Sequence, residues 1–319
     1  MSFAQRFALV LLAAFFLSSV VSSLATMLPV RRALRRHARG ASELRSSMLA
    51  VMRLLPAAGA FALTLLVLAP GYYTHEQRSE PEGTGLLLAL SAAAGALILL
   101  SSLGRAILSI VQTARLRRAW MRSARPLDLP AAGIPAFEID VGFPLVAVLG
   151  AVRPRLFISR SVLSACSRAE LAAIVEHERS HVSWGDNLVR MAMDAAPDPL
   201  AGTAMSRGLA RAWHHAIEHR ADDAASKKLD LAAALVRVAK LARVSEPVTL
   251  PASALYRGEG VEARVRRLVA GAGAPVSPSW NIFAGASGAL LVAAIAAAAA
   301  SATVSTLAHR LLETIVSLP

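Results

Sequence analysis

The sequence is short of cysteine, lysine, acid and aromatic residues, and each shortage narrows what the chain can be. A single cysteine, Cys166, in 319 residues cannot close an intramolecular disulfide, so a disulfide scaffold is excluded. Charged residues are only 17% of the chain, whereas ordinary soluble domains carry about 25%; 55% is hydrophobic and mean hydropathy is +0.51. That composition argues against an ordinary cytosolic globule, and against disorder, because a chain this apolar cannot stay solvated. The 34 basic residues, three of them lysine, outnumber 21 acidic ones and give a net charge of +13. Aromatics amount to 5% and are not interleaved with the basic runs, and no nucleic-acid motif is present, so no direct nucleic-acid partner is expected.

Long apolar runs are what the chain has in their place. A membrane span needs about 20 consecutive apolar residues, and residues 7–30, 54–73, 86–104 and 280–303 all qualify. The first also has a signal-peptide reading, since Ser23 and Ala25 loosely match a small-residue cleavage site. Cleavage there would export the arginine-rich segment that follows, against the positive-inside bias. Residues 31–53 hold seven Arg and one Glu, residues 105–125 hold six Arg and no acid, and residues 75–85 hold three Glu and one Arg. The two basic segments carry nearly all of the net charge, and they read as topology determinants beside anionic headgroups. The expectation is a multi-pass protein of the plasma (inner) membrane in contact with the lipid bilayer, its amino terminus external. Residues 1–111 form a three-helix anchor with a basic cytoplasmic loop, 112–279 a cytoplasmic domain, and 280–319 a fourth transmembrane helix with a short external tail.

The polar domain divides near residue 162. Before it, residues 136–141, 144–149 and 155–158 are short β-prone runs punctuated by Gly142, Gly150 and Pro154, which suits a small meandering sheet. After it the pattern is helical. Ser167 with Glu170 three residues on reads as a capping box, and Leu171, Ile174, Val175, Glu178 and Val182 follow at helical spacing. Gly185 ends or kinks that helix. Further helices are expected over 205–227, over 231–244 with Asp230 as cap, and over 261–270.

The first helix carries His177-Glu178-Arg179-Ser180-His181, an HExxH motif. Two His four residues apart share one helical face, so both imidazoles can reach one metal ion. Glu178, beside the first ligand, can approach an activated water without ligating the metal, which makes it the candidate general base. A catalytic zinc commonly takes three protein ligands and keeps one position open. Glu218 and Asp222, four apart on the downstream helix, supply a third ligand and a hydrogen-bond acceptor for a ligating imidazole. Both would also suit an ordinary solvated helix face. His214, one turn before Glu218, is a candidate for polarising a substrate carbonyl, or for a fourth ligand closing a structural site in a non-proteolytic membrane receptor.

With these parts in order, the chain resembles the BlaR/MecR-type antirepressor membrane zinc metallopeptidases. The resemblance rests on Gly150-Ala-Val-Arg-Pro-Arg-Leu-Phe-Ile158, Glu170-Leu171, HExxH followed by Gly185-Asp186-Asn187-Leu188, Glu218-x-x-x-Asp222, and Arg264 to Leu268. It implies an α+β membrane protein with four transmembrane helices, three plus one, and a cytoplasmic gluzincin-like domain in which a small sheet precedes helices carrying HExxH. It further implies one Zn²⁺ bound by His177, His181 and Glu218, Glu178 as base, and a protein substrate such as a cytoplasmic transcriptional repressor or the chain itself. About 16 residues follow the fourth apolar segment, so the penicillin-binding sensor of the β-lactam transducers is expected to be missing. A quality-control membrane peptidase of the HtpX type shares HExxH and the membrane anchor. An intramembrane protease does not fit, because charged Arg168, Glu170, Glu176 and Arg179 flank the motif.

Overall fold

The computed structural model describes residues 2–38, 45–75, 85–244, 260–271 and 310. The fourth apolar segment expected from the sequence lies outside them. Among the described residues, three helices are long and apolar enough to cross a membrane, Phe3–Arg35, Ser46–Thr74 and Leu86–Met121, which suggests membrane insertion. The chain folds as two compact units, one comprising Met1–Ala106 with Ala192–Trp213, the other Ile107–Met191 with the described residues between His214 and Gly271.

In the first unit, α1 (Phe3–Ala38) packs against α2 (Ser46–Ala62), which continues through a π-helical turn (Leu63–Leu68) into α3 (Ala69–His75). Helix α4 (Leu86–Met121) begins in the same unit. A buried cluster of Val10, Ala13, Ala14, Tyr72, Leu88 and Ala92 joins these helices. A Cβ on Gly95 would collide with the Leu12 carbonyl, so α1 and α4 approach as closely as they do because that position is glycine. The segment 192–213 is tied in by polar contacts: Arg53 pairs with Asp198 at 3.0 Å, Ser23 donates to Asp198, and Arg105 donates to the carbonyls of Asp194 and Ala196.

The second unit is built around a four-stranded sheet. Strands β1 (Arg125–Leu127), β2 (Ala136–Ile139), β3 (Val146–Leu149) and β4 (Arg155–Ser159) lie in the order β1-β2-β4-β3. The meander expected from the sequence is corrected here. β2 and β4 are parallel, with Phe137 opposite Phe157, and β3 crosses to the far edge to pair antiparallel with β4. Burial decides it: β3 and β4 are buried almost throughout, as fits strands covered on both faces. One face carries Val146, Val148, Leu156 and Ile158, the other Leu145, Ala147, Leu149 and Phe157, with the period of two that a strand imposes.

The first face packs on α6 (Arg168–Trp184), α9 (Lys228–Val244) and α10 (Val261–Val269) through Ala173, Ile174, Val175, Leu231, Leu235, Val238 and Leu268. The second packs on the end of α4 through Leu116 and Trp120, the latter edge-on to Phe157 at 5.3 Å. Helix α4 therefore runs ten residues past the boundary at 111 expected for the anchor. Two short helices, α5 (Arg160–Ala165) and α7 (Asp186–Ala195), and the longer α8 (Ala204–Ala224) complete the order. Because α9 starts at Lys228, Asp230 lies inside its first turn and is not its cap.

Candidate metal centre

Local sequence sets the position of α6. The Ser167 hydroxyl accepts from the Glu170 amide at 3.2 Å and the Glu170 carboxylate from the Ser167 amide at 2.6 Å, so the expected capping box is formed. Arg237 of α9 donates to the same carboxylate. At the other end Gly185 takes a left-handed conformation, φ 65°, closing α6 on the carbonyls of His181 and Val182. The chain reverses there and α7 starts at once, which brings Asp186 back against His181.

On α6, His177 and Glu178 are buried and His181 is partly exposed. The Nε2 atoms of the two imidazoles face each other at 3.2 Å. Glu218, from α8, sets one carboxylate oxygen 3.6 Å from His177 Nε2 and the other 3.7 Å from His181 Nε2. These three are the group of side chains, among the described residues, whose ligand atoms gather within 4.8 Å. His214, one turn earlier on α8, is outside that group.

Behind each imidazole stands an aspartate that carries an arginine. His177 Nδ1 lies 3.1 Å from Asp222 Oδ1, at ion-pair distance but off the hydrogen-bond line, and both residues are wholly buried. Asp222 receives two hydrogen bonds from Arg264, at 2.9 and 2.5 Å, and Arg264 also pairs with Glu218 at 2.8 Å. His181 Nδ1 lies 2.7 Å from Asp186 Oδ2. Arg220 donates to both Asp186 oxygens while its guanidinium stacks 4.3 Å from the Trp184 ring. Asp186, Arg220 and Arg264 were given no role from the sequence. The signal for Asp186 was present, an acid five residues after the second histidine and just past a helix-ending glycine; Arg264 opens a stretch that carries the family resemblance, and Arg220 had no signal beyond its place in the chain.

Burial penalises the charge on Glu218, but His177 and Arg264 outweigh it and hold this carboxyl well below the usual range. Asp222 is lowered in the same way, burial being overcome by His177 and Arg264. Burial also works against an imidazolium at His177, yet the Asp222 and Glu218 carboxylates favour it up to about 9. Glu178 goes the other way, since burial raises it more than the neighbouring histidines lower it.

The donor set fits a divalent cation. Bonds of about 2.1 Å in a tetrahedral centre place ligand atoms about 3.4 Å apart, against the 3.2, 3.6 and 3.7 Å found. Glu218 Oε2 makes no hydrogen bond by its geometry, and its contact with Arg264 is an ion pair, which leaves the oxygen available to a cation as well. With both imidazoles neutral, as ligation requires, four carboxylates (Glu178, Asp186, Glu218 and Asp222) and two guanidiniums would leave two negative charges, which a divalent ion would balance.

Asn187 also bears on the site. The Ser159 amide donates to the Leu145 carbonyl, so Ala147 and Leu149 share that inward register and Val146, Val148 and Gly150 turn their backbone groups outward. Asn187 Nδ2 donates to the outward carbonyls of Val148 and Gly150, at 3.0 and 3.2 Å, and so occupies the far half of this sheet edge.

An HExxH helix whose imidazoles converge with a downstream glutamate is an arrangement that metallopeptidases use, and the chain that carries it also has membrane-type helices. In agreement, residues 111–253 match the model of peptidase family M48, whose members are zinc metallopeptidases. The matched segment takes in α6 and α8 and stops short of α10. No curated protein matches the chain.

Proposed function

We propose that this protein is a membrane-anchored zinc endopeptidase, with zinc held by His177, His181 and Glu218 and with Glu178 as general base. The observation that carries the reading is the convergence of two Nε2 atoms and one carboxylate within 3.7 Å, on α6 and α8. A zinc ion held there supplies Lewis acidity, polarising the scissile carbonyl and letting water lose a proton near neutral pH. The chain's own residues do the rest. Glu178 takes the proton from water and returns it to the leaving amine, and the burial that strengthens its hold on a proton suits both tasks. Asp222 and Asp186 face the Nδ1 atoms of the two histidines, leaving each Nε2 lone pair for the metal. Arg264 helps to hold Asp222 ionised, and Arg220 donates to both Asp186 oxygens. His214 stands one turn from Glu218 as a candidate to polarise the substrate carbonyl.

Substrate binds extended along β3, as an added strand. The outward groups of Val146 and the Val148 amide pair with it, and Asn187 closes the edge beyond. The substrate class is protein. Resemblance to the antirepressor peptidases supports regulatory cleavage of a repressor, or of the chain itself, and the arginine-rich segments 31–53 and 105–125 support a cytoplasmic site in a multi-pass plasma-membrane protein. The domain plan that goes with it is an anchor over 1–111, a peptidase domain over 112–279 and a fourth span beyond. A quality-control membrane peptidase is the second reading, because the M48 match accommodates it equally.

The test compares new protein amino termini in cells expressing wild type with those in cells expressing Glu178→Ala. Termini that appear only with wild type are expected, and they identify the substrate. Identical sets from two folded, zinc-loaded proteins would contradict the proteolytic reading.

A further inference from the structure

The second unit holds a cavity that shares no residue with the metal cluster. Its volume is about 410 Å³, and it is lined by α4 between Ser109 and Arg117, by the end of β3 with the turn after it, and by Asn187, Arg190 and Met191 of α7. That volume lies within the usual range for small-molecule sites, about 300–1,000 Å³. Its walls combine apolar Ile110, Leu116, Val152 and Met191 with Arg117, Arg153 and Arg190, and no carboxylate lines it among the described residues. Arg190 donates to Asn187 at 2.9 Å.

The length of α4 sets the depth of this cavity. Its 36 residues make a helix about 54 Å long, whereas a hydrocarbon core about 30 Å thick takes about 20 residues. Counted from Leu86, the core ends near Arg105. The headgroup layer adds about 5–7 Å and reaches Ser109 and Ile110, which line the cavity. Apolar exposure continues to that level, since Leu97, Leu100, Leu103, Ile107, Leu108 and Ile110 are all more than half exposed. Val152, at the tip of the β3–β4 turn, is 85% exposed and immediately precedes Arg153. An exposed apolar side chain beside an arginine suits the membrane interface, one reaching the acyl boundary and the other a phosphate.

We propose that this cavity binds the phosphate-bearing headgroup of an anionic membrane phospholipid, Arg117 and Arg153 contacting the phosphate and Ile110 and Val152 the first methylenes of the chains. The charge of the lining and its continuity with the apolar face of α4 select a lipid over a soluble anion. The proposal does not depend on proteolytic activity.

The test uses the full-length protein in vesicles of phosphatidylcholine with phosphatidylglycerol, extracted gently and weighed by native mass spectrometry to count retained lipids. Wild type is expected to keep phosphatidylglycerol in preference to phosphatidylcholine. In the Arg117→Gln/Arg153→Gln variant that preference falls about thirtyfold, the worth of two arginine contacts to anionic headgroups. Arg115→Gln/Arg118→Gln, which removes equal charge from exposed positions on the same helix outside the cavity, keeps it. Val152→Asp, at an exposed position that leaves the core intact, also loses it. Equal retention of both lipids by wild type, or equal losses in the two double-arginine variants, would overturn the proposal. Displacement of the lipid by millimolar inorganic phosphate would overturn the choice of a lipid and leave an anion site.

Discussion

The two halves of the metal centre are built on one plan at different depths. Each histidine turns Nε2 inward and sets Nδ1 against an aspartate that carries an arginine: His177 with Asp222 and Arg264, His181 with Asp186 and Arg220. In the first arm, drawn from α6, α8 and α10, His177 and Asp222 are wholly enclosed and Arg264 nearly so. The second is shallower and local, its aspartate following His181 by five residues. In the enclosed arm four side chains with shifted proton affinities, His177, Glu218, Asp222 and Arg264, depend on one another, Arg264 reaching both Glu218 and Asp222. In the outer arm Arg220 also stacks on Trp184, and His181 is partly exposed. Equal chemistry at unequal depth implies unequal sensitivity to substitution, because a charge stranded in the interior costs far more than one near water.

Asp222→Asn should therefore do the most damage. It leaves Arg264 buried with only part of its counter-charge, at a cost of about 3 kcal/mol in stability, and zinc affinity drops about 10- to 100-fold. Thermal denaturation and a competitive zinc titration check both. Asp186→Asn is the matched substitution in the outer arm, where a loss of zinc affinity nearer tenfold and about 1 kcal/mol of stability is expected. Equal effects from the two, or the reverse order, would break the comparison. Gly185→Ala sharpens it. No atom lies near the added Cβ, so the left-handed φ alone acts, at about 1 kcal/mol. The change should disturb the Asp186 arm and leave Asp222 in place, seen as a small loss of zinc affinity.

The smallest effect lies outside both arms. Glu170→Gln weakens the capping box by about 1 kcal/mol at neutral pH. Burial opposes the charge of Glu170, but its bonds to Ser167 and Arg237 prevail and lower its proton affinity. A carboxylate lowered in this way stabilises the fold above the ordinary glutamate range, and loses that contribution as pH falls through its own lower value. The gap between variant and wild type, measured by denaturation at several pH values, should close on acidification.

The same contrast accounts for how much was legible in the sequence. Local signals carried well: the Ser167–Glu170 box, HExxH at helical spacing, Glu218 and Asp222 four apart, the three apolar helices and the β-prone runs. Contacts remote in sequence did not. Periodicity within 136–158 could mark strands but not that β2 pairs in parallel with β4 while β3 goes to the edge. Arg264, 42 residues from Asp222, opens a stretch that carries the family resemblance, but nothing in the sequence tied it to that aspartate. Asp186 stood close enough to be found, but Gly185 read as a stop hides that a new helix starts at once and folds back. β1, three residues long, offered too little pattern to see.

The most direct measurement is of Glu178→Gln, with zinc per chain and peptide cleavage determined on the same purified preparation. The account predicts one zinc per chain, as in wild type, with cleavage reduced about 10²- to 10⁴-fold. Cleavage at the wild-type rate with zinc bound, or loss of zinc together with cleavage, would contradict the separation of ligands from base on which it rests.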